Sequence, residues 1–256
     1  VVRGPYHRLL NAGGGGGVDI LVSRCATIRI PAEFAGGNWD DYEPAAIRCA
    51  ADWARRHGDG VFLDIGSSAG IFSAVVLFAN PGIEVLAFDS DLASLAQTRR
   101  FCRHAEGTLR VVYGFVAAAG SAATLAEAIA ITDAELARAD PSGDVGTTSY
   151  VCIEDARFAD IPRNTLDDLF RSSPLGMRPM LIKCDVEGAE LLVLQGARTL
   201  LAHQQPDLLL SVHPSALPQH GHSRQDVADF LEQSRYRVAV VAIDHEEHWW
   251  CRPMPG

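Results

Sequence analysis

VFLDIGSSAGIFSAVVLFANPGIEVLAFD, residues 61–89, decides the fold of this 256-residue chain. Val61–Ile65 is a short apolar run that stops at Gly66, the pattern of a parallel strand buried on both faces. Gly70 to Ala79 continues as an apolar helix, and Asn80-Pro81-Gly82 stops it. Glu84–Phe88 is a second buried strand, closing at Asp89. Strand, helix and strand in that order make a βαβ unit, which implies a parallel sheet and right-handed crossovers.

Outward from this unit the rhythm continues. Asp91 to His104 reads as a helix, Leu109–Val116 as a third strand, Met180–Val186 as a fourth and Pro206–Val212 as a fifth. Gly188 to Ala202 reads as a helix, as does Ser223 to Ser234, capped by Ser223. Tyr236–Ile243 and His248–Cys251 read as a closing antiparallel pair. Between the third and fourth strands the pattern breaks. Thr124 to Ala139 is a helix, Pro141–Thr148 a loop, Tyr150–Ile153 a short strand and Thr165–Phe170 a helical turn. Upstream, Gly13 to Gly17 reads as a flexible glycine loop, Val18 to Ile30 as strand material and Pro44 to His57 as a helix. The expected organisation is an extension over 1–60, then one α/β domain over 61–256 with a cap inserted at about 119–178.

Composition narrows the function. Net charge is −10 and 48% of residues are hydrophobic, so a sizeable core is expected and a nucleic-acid-coating role is not. No apolar stretch approaches the ~20 residues of a membrane span, and Val1 to Leu10 carry no signal-like apolar run. Six scattered cysteines without a C-x-x-C pair suit free thiols and a cytoplasmic setting. Of 22 basic residues one is lysine, Lys183.

Three constellations carry the chemistry. The first is Asp64-Ile-Gly66-Ser67-Ser68-Ala-Gly70, between a strand and a helix. Gly66 and Gly70 permit a tight turn and close approach of a ligand, and Asp64 suits an ammonium better than a pyrophosphate. S-adenosylmethionine has the first and lacks the second, whereas a nicotinamide fingerprint would read G-x-G-x-x-G. The spacing alone fits a solvated structural turn equally well. The second is Asp89 with Ser90 at the next strand's end, placed to accept hydrogen bonds from a ribose diol, or to cap a helix. The third is Lys183-Cys-Asp185-Val-Glu187-Gly-Ala-Glu190. Lys183 and Asp185 share a strand face, and Asp185 and Glu187 fall at the mouth of the sheet, where a base would sit. A buried Lys183–Asp185 pair and a helix-entry role for Glu187 are the structural alternatives, and for Glu190 the structural role is preferred. His213 ends the fifth strand at the same edge, with His220 and His222 in the following loop. Their spacing matches no zinc pattern, so no metal ligands are assigned, though a divalent cation is left open. His-Glu-Glu-His at 245–248 is one residue short of a zincin motif.

FLDIGSSAGIFS (62–73), NTLDDLF (164–170), LIKCDVEGAELLVLQGA (181–197) and PDLLLSVHP (206–214) together resemble the FkbM-type methyltransferases. Ser67-Ser68 replaces the Ala-Asn usual in that family, and Asp89-Ser90 replaces Glu-Pro. The resemblance implies a doubly wound Rossmann-like class I methyltransferase fold with seven strands in the order 3-2-1-4-5-7-6. It implies S-adenosyl-L-methionine as cofactor and O-methylation of a small natural product, sugar or glycolipid as activity. Asp64, Gly66, Ser67, Ser68, Gly70, Asp89 and Ser90 would bind the cofactor. Lys183, Asp185, Glu187 and His213 would serve catalysis, a base being sought among the last three. The partner expected is a small hydroxylated acceptor, with a homo-oligomer left open. The rival readings are a nucleotide-binding oxidoreductase on a similar sheet and a non-catalytic cofactor-binding domain.

Overall fold

The computed structural model describes residues 17–139, 156–171 and 178–255. The readings of Pro141–Thr148 and Tyr150–Ile153, and most of Gly13–Gly17, lie outside the described residues.

The chain opens with a hairpin, β1 (Gly17–Val22) and β2 (Ala26–Pro31), where one strand region was expected. Ser23 and Arg24 turn it through left-handed backbone. Helix α1 (Pro44–Arg56) follows, with proline in its first turn. Strand β3 (Val61–Ile65), α2 (Ile71–Ala79), β4 (Glu84–Asp89), α3 (Leu92–Phe101) and β5 (Thr108–Tyr113) form the expected βαβαβ run. The Asp91 carboxylate caps α3, accepting from Ala93 and Ser94 N–H. The predicted third strand is broken at Gly114, beyond which β6 (Phe115–Ser121) leaves the main sheet and pairs with β7 (Arg163–Asn164). Helix α4 (Leu125–Arg138) starts in a Thr124/Glu127 capping box. After the short α5 (Leu166–Phe170) comes β8 (Met180–Cys184). The helix expected over 188–202 is two, α6 (Glu190–Gln195) and α7 (Arg198–Gln204), parted at Gly196. Strand β9 (Asp207–Val212), α8 (Arg224–Gln233), β10 (Tyr236–Ile243) and β11 (Glu247–Pro253) complete the chain.

The central sheet has seven strands in the order β10-β11-β9-β8-β3-β4-β5. Counted along the sheet-forming strands this is 3-2-1-4-5-7-6 read from the β5 edge. Only β11 runs antiparallel to its neighbours; the reversal follows from the tight β10–β11 hairpin. Alternation along each strand feeds two cores. Val61, Leu63, Ile65, Ile182, Cys184 and Leu210 pack toward the face covered by α5 to α8. Phe62, Val85, Leu181, Leu209 and Trp250 pack toward α1, α2 and the β1–β2 hairpin. Both faces are apolar because helices cover both, which is why these strands read as continuous hydrophobic runs. Among the described residues no helix is long and apolar enough to cross a membrane.

Candidate active site

A cleft of about 590 Å³ opens over the carboxyl ends of β3, β4 and β8, where ligands of open α/β sheets bind. Apolar Ile65, Phe88, Phe115 and Val116 line one part of it. The polar part is acidic: Glu43, Asp89, Asp185, Glu187, Asp244 and Glu246 line it, and among the described residues no lysine or arginine does. Backbone strain gathers here. Glu43, Ser68 and Glu187 are left-handed non-glycine residues, at φ 40, 48 and 52°, and all three line the cleft.

Asp89 stands at the end of β4 as expected. Its Oδ2 accepts from Ser68 N–H at 2.8 Å and its Oδ1 from Asp91 N–H at 2.9 Å. Burial raises its pKa to about 6 against the opposing pull of those two donors. Each oxygen keeps acceptor capacity toward the cleft. Gly66, Ser68 and Ser90 also line it.

Asp64 is elsewhere. Strand alternation puts it on the face of Phe62, beneath α2, with no exposure at all. Its Oδ2 accepts from Ser73 N–H at 3.1 Å and Ser73 Oγ–H at 2.6 Å, and its Oδ1 lies 3.8 Å from Lys183 Nζ. Asp64 therefore braces α2 against the sheet behind the cleft wall, and direct contact with an ammonium is corrected to a supporting place. Ser67 and Gly70 are also off the cleft lining; Ser67 is buried, and Gly70 packs against Thr98 of α3.

Lys183 is directly paired with Asp64 across β3 and β8 and shares its burial, at 3% exposure. Its Nζ donates to Asp185 Oδ2 at 3.2 Å and to the Gly66 carbonyl at 3.3 Å, and sits 4.8 Å from the centre of the Phe72 ring. Burial works against its charge, but Asp185, Asp64 and Glu43 outweigh burial and hold its pKa above the ordinary lysine value. The structural alternative for this residue is thus the one the geometry takes: Lys183 orients Asp185 and the Gly66 turn and does not line the cleft.

His213 is 4% exposed and locked between carboxylates. Nδ1 lies 2.7 Å from Glu190 Oε1; Nε2 lies 2.5 Å from Glu246 Oε2, 3.5 Å from Glu187 Oε2 and 3.7 Å from Asp185 Oδ1. Burial lowers its pKa, but the hydrogen bonds to Glu190 and Glu246 and the field of Asp185 prevail, pushing it up to about 11. Among these carboxylates the proton affinity of the ring is raised, which disfavours His213 as the base. Glu190 accepts from Gly188 N–H at 2.9 Å as well, so the role expected for it as a structural residue is a specific one.

Two contributors were not found in the sequence. Glu43 ends the N-terminal segment at the start of α1, facing Lys183, Asp185 and Glu246; its Oε2 has no hydrogen-bond partner. Burial raises its pKa to about 7, although Lys183 opposes this. Glu246, in the β10–β11 turn, is 3% exposed. Glu43 belongs to no motif and is marked only by its place next to a helix start, and Glu246 lies in the His-Glu-Glu-His stretch at 245–248, whose spacing fits no zincin motif.

The Glu43 shift has a testable sign. Its folded pKa lies above the ordinary glutamate value of 4.5, so its contribution to stability is full below about 4.5 and lost as pH rises through about 7. Glu43→Gln is therefore expected to melt progressively higher than wild type as pH climbs through that window. Melting curves at pH 4.5, 6 and 8 check this, and a constant difference would remove the assignment.

The donor set fits a cationic nucleoside without phosphate. The acids suit ammonium and sulfonium groups, Asp89 suits a ribose diol, and the described lining offers a pyrophosphate no basic side chain. Fold and site define the frame of a class I S-adenosylmethionine-dependent methyltransferase. The sequence profile of the methyltransferase FkbM domain matches residues 64–238. The chain belongs to the FkbM methyltransferase family, whose cofactor is S-adenosyl-L-methionine. A methyltransferase FkbM from Methylobacillus flagellatus KT is 14% identical over 80% of this chain, with a TM-score of 0.47. This chain spans 52% of that protein's length. A precorrin-6y C5,15-methyltransferase from Geobacter metallireducens GS-15 is 13% identical, covering 82% of this chain and 87% of its own, with a TM-score of 0.45. A TehB-like SAM-dependent methyltransferase from Corynebacterium glutamicum is 14% identical, covering 86% and 90%, with a TM-score of 0.41. No curated protein matches the sequence.

Proposed function

We propose that this protein transfers a methyl group from S-adenosylmethionine to a hydroxyl of a small natural product, sugar or glycolipid. The observation that carries the reading is the acidic cleft at the strand ends, lined among the described residues by no arginine or lysine, with Asp89 at the end of β4. The bound cofactor supplies a methyl already activated on a sulfonium, so alignment and proton removal are the work left to the protein. Asp89 accepts the ribose hydroxyls. The Gly66–Ser68 turn brings backbone close to the cofactor. Asp185, held by Lys183, and Glu187 face the acceptor side and orient its hydroxyl. Glu43, buried beside them with a free oxygen and a pKa near neutrality, takes the proton.

On this reading residues 1–60 form an extension that completes the acceptor side, because Asp41, Tyr42 and Glu43 line the cleft beside the strand ends. The segment at about 119–178 is an inserted cap. A cytoplasmic setting is supported by the free thiols of the five described cysteines.

Asp89→Ala is the direct test. Losing a charged acceptor to two hydroxyls costs about 1.5–3 kcal/mol, an increase of roughly 10- to 100-fold in the cofactor's Kd. Calorimetry with S-adenosylmethionine measures it, alongside melting curves because Asp89 also holds Ser68 and Asp91. An unchanged Kd in a folded variant, or no binding by wild type, sinks the assignment. Transfer of labelled methyl to hydroxylated but not amino acceptors then tests the atom methylated.

A further inference from the structure

We propose that Asp185, His213 and Glu246 form a divalent-cation site in the floor of the cleft, with Glu187 as a neighbouring outer carboxylate and Glu190 as the residue that orients the imidazole. The site itself stands on side-chain geometry alone. Only the role given to it below rests on the methyl-transfer reading.

His213 Nε2 is the hub. Three carboxylate oxygens from two segments, the loop after β8 and the β10–β11 turn, converge on it: Glu246 Oε2 at 2.5 Å, Glu187 Oε2 at 3.5 Å and Asp185 Oδ1 at 3.7 Å. Ligand atoms about 2.1 Å from a metal are about 3.0 Å apart in an octahedron and about 3.4 Å apart in a tetrahedron. The observed separations bracket those values, and Glu246 needs to open by only about half an ångström. One ligand atom each from Asp185, His213 and Glu246 falls within 4.8 Å of the others.

The other ring nitrogen is engaged as a ligating histidine requires. Nδ1 faces Glu190 Oε1 at 2.7 Å, and Glu190 is wholly buried. A carboxylate on the far nitrogen fixes the ring and leaves Nε2 to the metal. Glu246 supplies a further observation. It is 3% exposed; its Oε2 faces His213, and its Oε1, buried without a hydrogen bond, lies 3.5 Å from His248 Nε2. A carboxylate buried beside Asp185, Glu187 and Glu190 around one imidazole is costly unless a cation meets it. Glu246 is also shared by every such group among the described residues, the others being Glu43 with His248 and Asp244 with His245.

Mixed imidazole and carboxylate ligands suit Mn2+, Fe2+, Co2+ or Zn2+ better than Ca2+. Asp185 and Glu187 border the open cleft, so the cation has a face toward a bound molecule. On the reading above, that face takes an acceptor oxygen and favours its alkoxide.

Mn2+ titration of the metal-stripped full chain, without cofactor or acceptor, tests the site by electron paramagnetic resonance. Saturable binding of a single equivalent is expected, abolished by His213→Ala and weakened about 10- to 100-fold by Glu190→Gln. Should His213→Ala fail to fold, Glu187→Gln, at a half-exposed position, is expected to weaken binding at least about tenfold. No saturable binding by wild type, or binding untouched by Glu187→Gln and Glu190→Gln, overturns the proposal. Because cofactor binding is measured separately, a failure here leaves the methyltransferase reading standing, and the reverse.

Discussion

Gly66→Ala is expected to cost about 4 kcal/mol or more, at the upper end of single-substitution effects. A methyl group at this position would lie 1.8 Å from the Asp185 carbonyl oxygen and 2.9 Å from its carbon. Both partners are backbone, so neither side chain can swing away. The turn cannot retreat either. Gly66 and Ser67 N–H donate to the Phe88 carbonyl on β4, Asp185 N–H donates to the Ile65 carbonyl, and Lys183 donates to the Gly66 carbonyl. At φ +76° alanine also meets left-handed strain of about 1–2 kcal/mol. For a chain of this size the loss is a fall in Tm on the order of 10 °C. A variant melting within about 2 °C of wild type would mean that the turn has slack the structure does not show.

Lys183→Met is expected to cost about 3–5 kcal/mol, the range for removing one partner of a buried ion pair. Methionine keeps much of the side chain's length and deletes the ammonium that sits over the Phe72 ring. Asp64 then has Ser73 on one oxygen and nothing on the other, and it cannot reach water. Asp185 loses its one lysine contact. Adding Asp64→Asn is expected to recover part of the loss, since the stranded charge disappears; this non-additivity separates charge from packing. Lys183→Arg is also expected to destabilise, by less, because a planar fork cannot stand where a compact ammonium reaches Asp185 and the Gly66 carbonyl together. Denaturant midpoints for the four variants measure this, and full additivity of Lys183→Met with Asp64→Asn would disprove the pairing.

The βαβ frame was legible because strands covered on both faces are apolar almost throughout, and Val61–Ile65 and Glu84–Phe88 each carry a single charged residue, Asp64 and Glu84. The strand ends were legible too, so Asp89, Asp185 and Glu187 reach the cleft where they were expected. Boundaries were missed where one backbone step mattered: Gly114 ends β5 before Phe115 begins a different sheet, and Gly196 parts α6 from α7. The hairpin turn at Ser23–Arg24 carries no glycine to announce it.

By itself the sequence determined the order of strands and helices, the two-residue alternation and which acids fall at strand ends. All three follow from local periodicity. Tertiary structure decided what each acid does. Register between β3 and β8 sets Asp64 opposite Lys183 beneath α2, turning an expected ligand contact into a buried pair. Return of the chain in β11 brings Glu246 to His213, 33 residues earlier in sequence, and raises the proton affinity of one of the three residues weighed as the base. Burial and neighbouring charge set proton affinity, and both come from segments far apart in the chain.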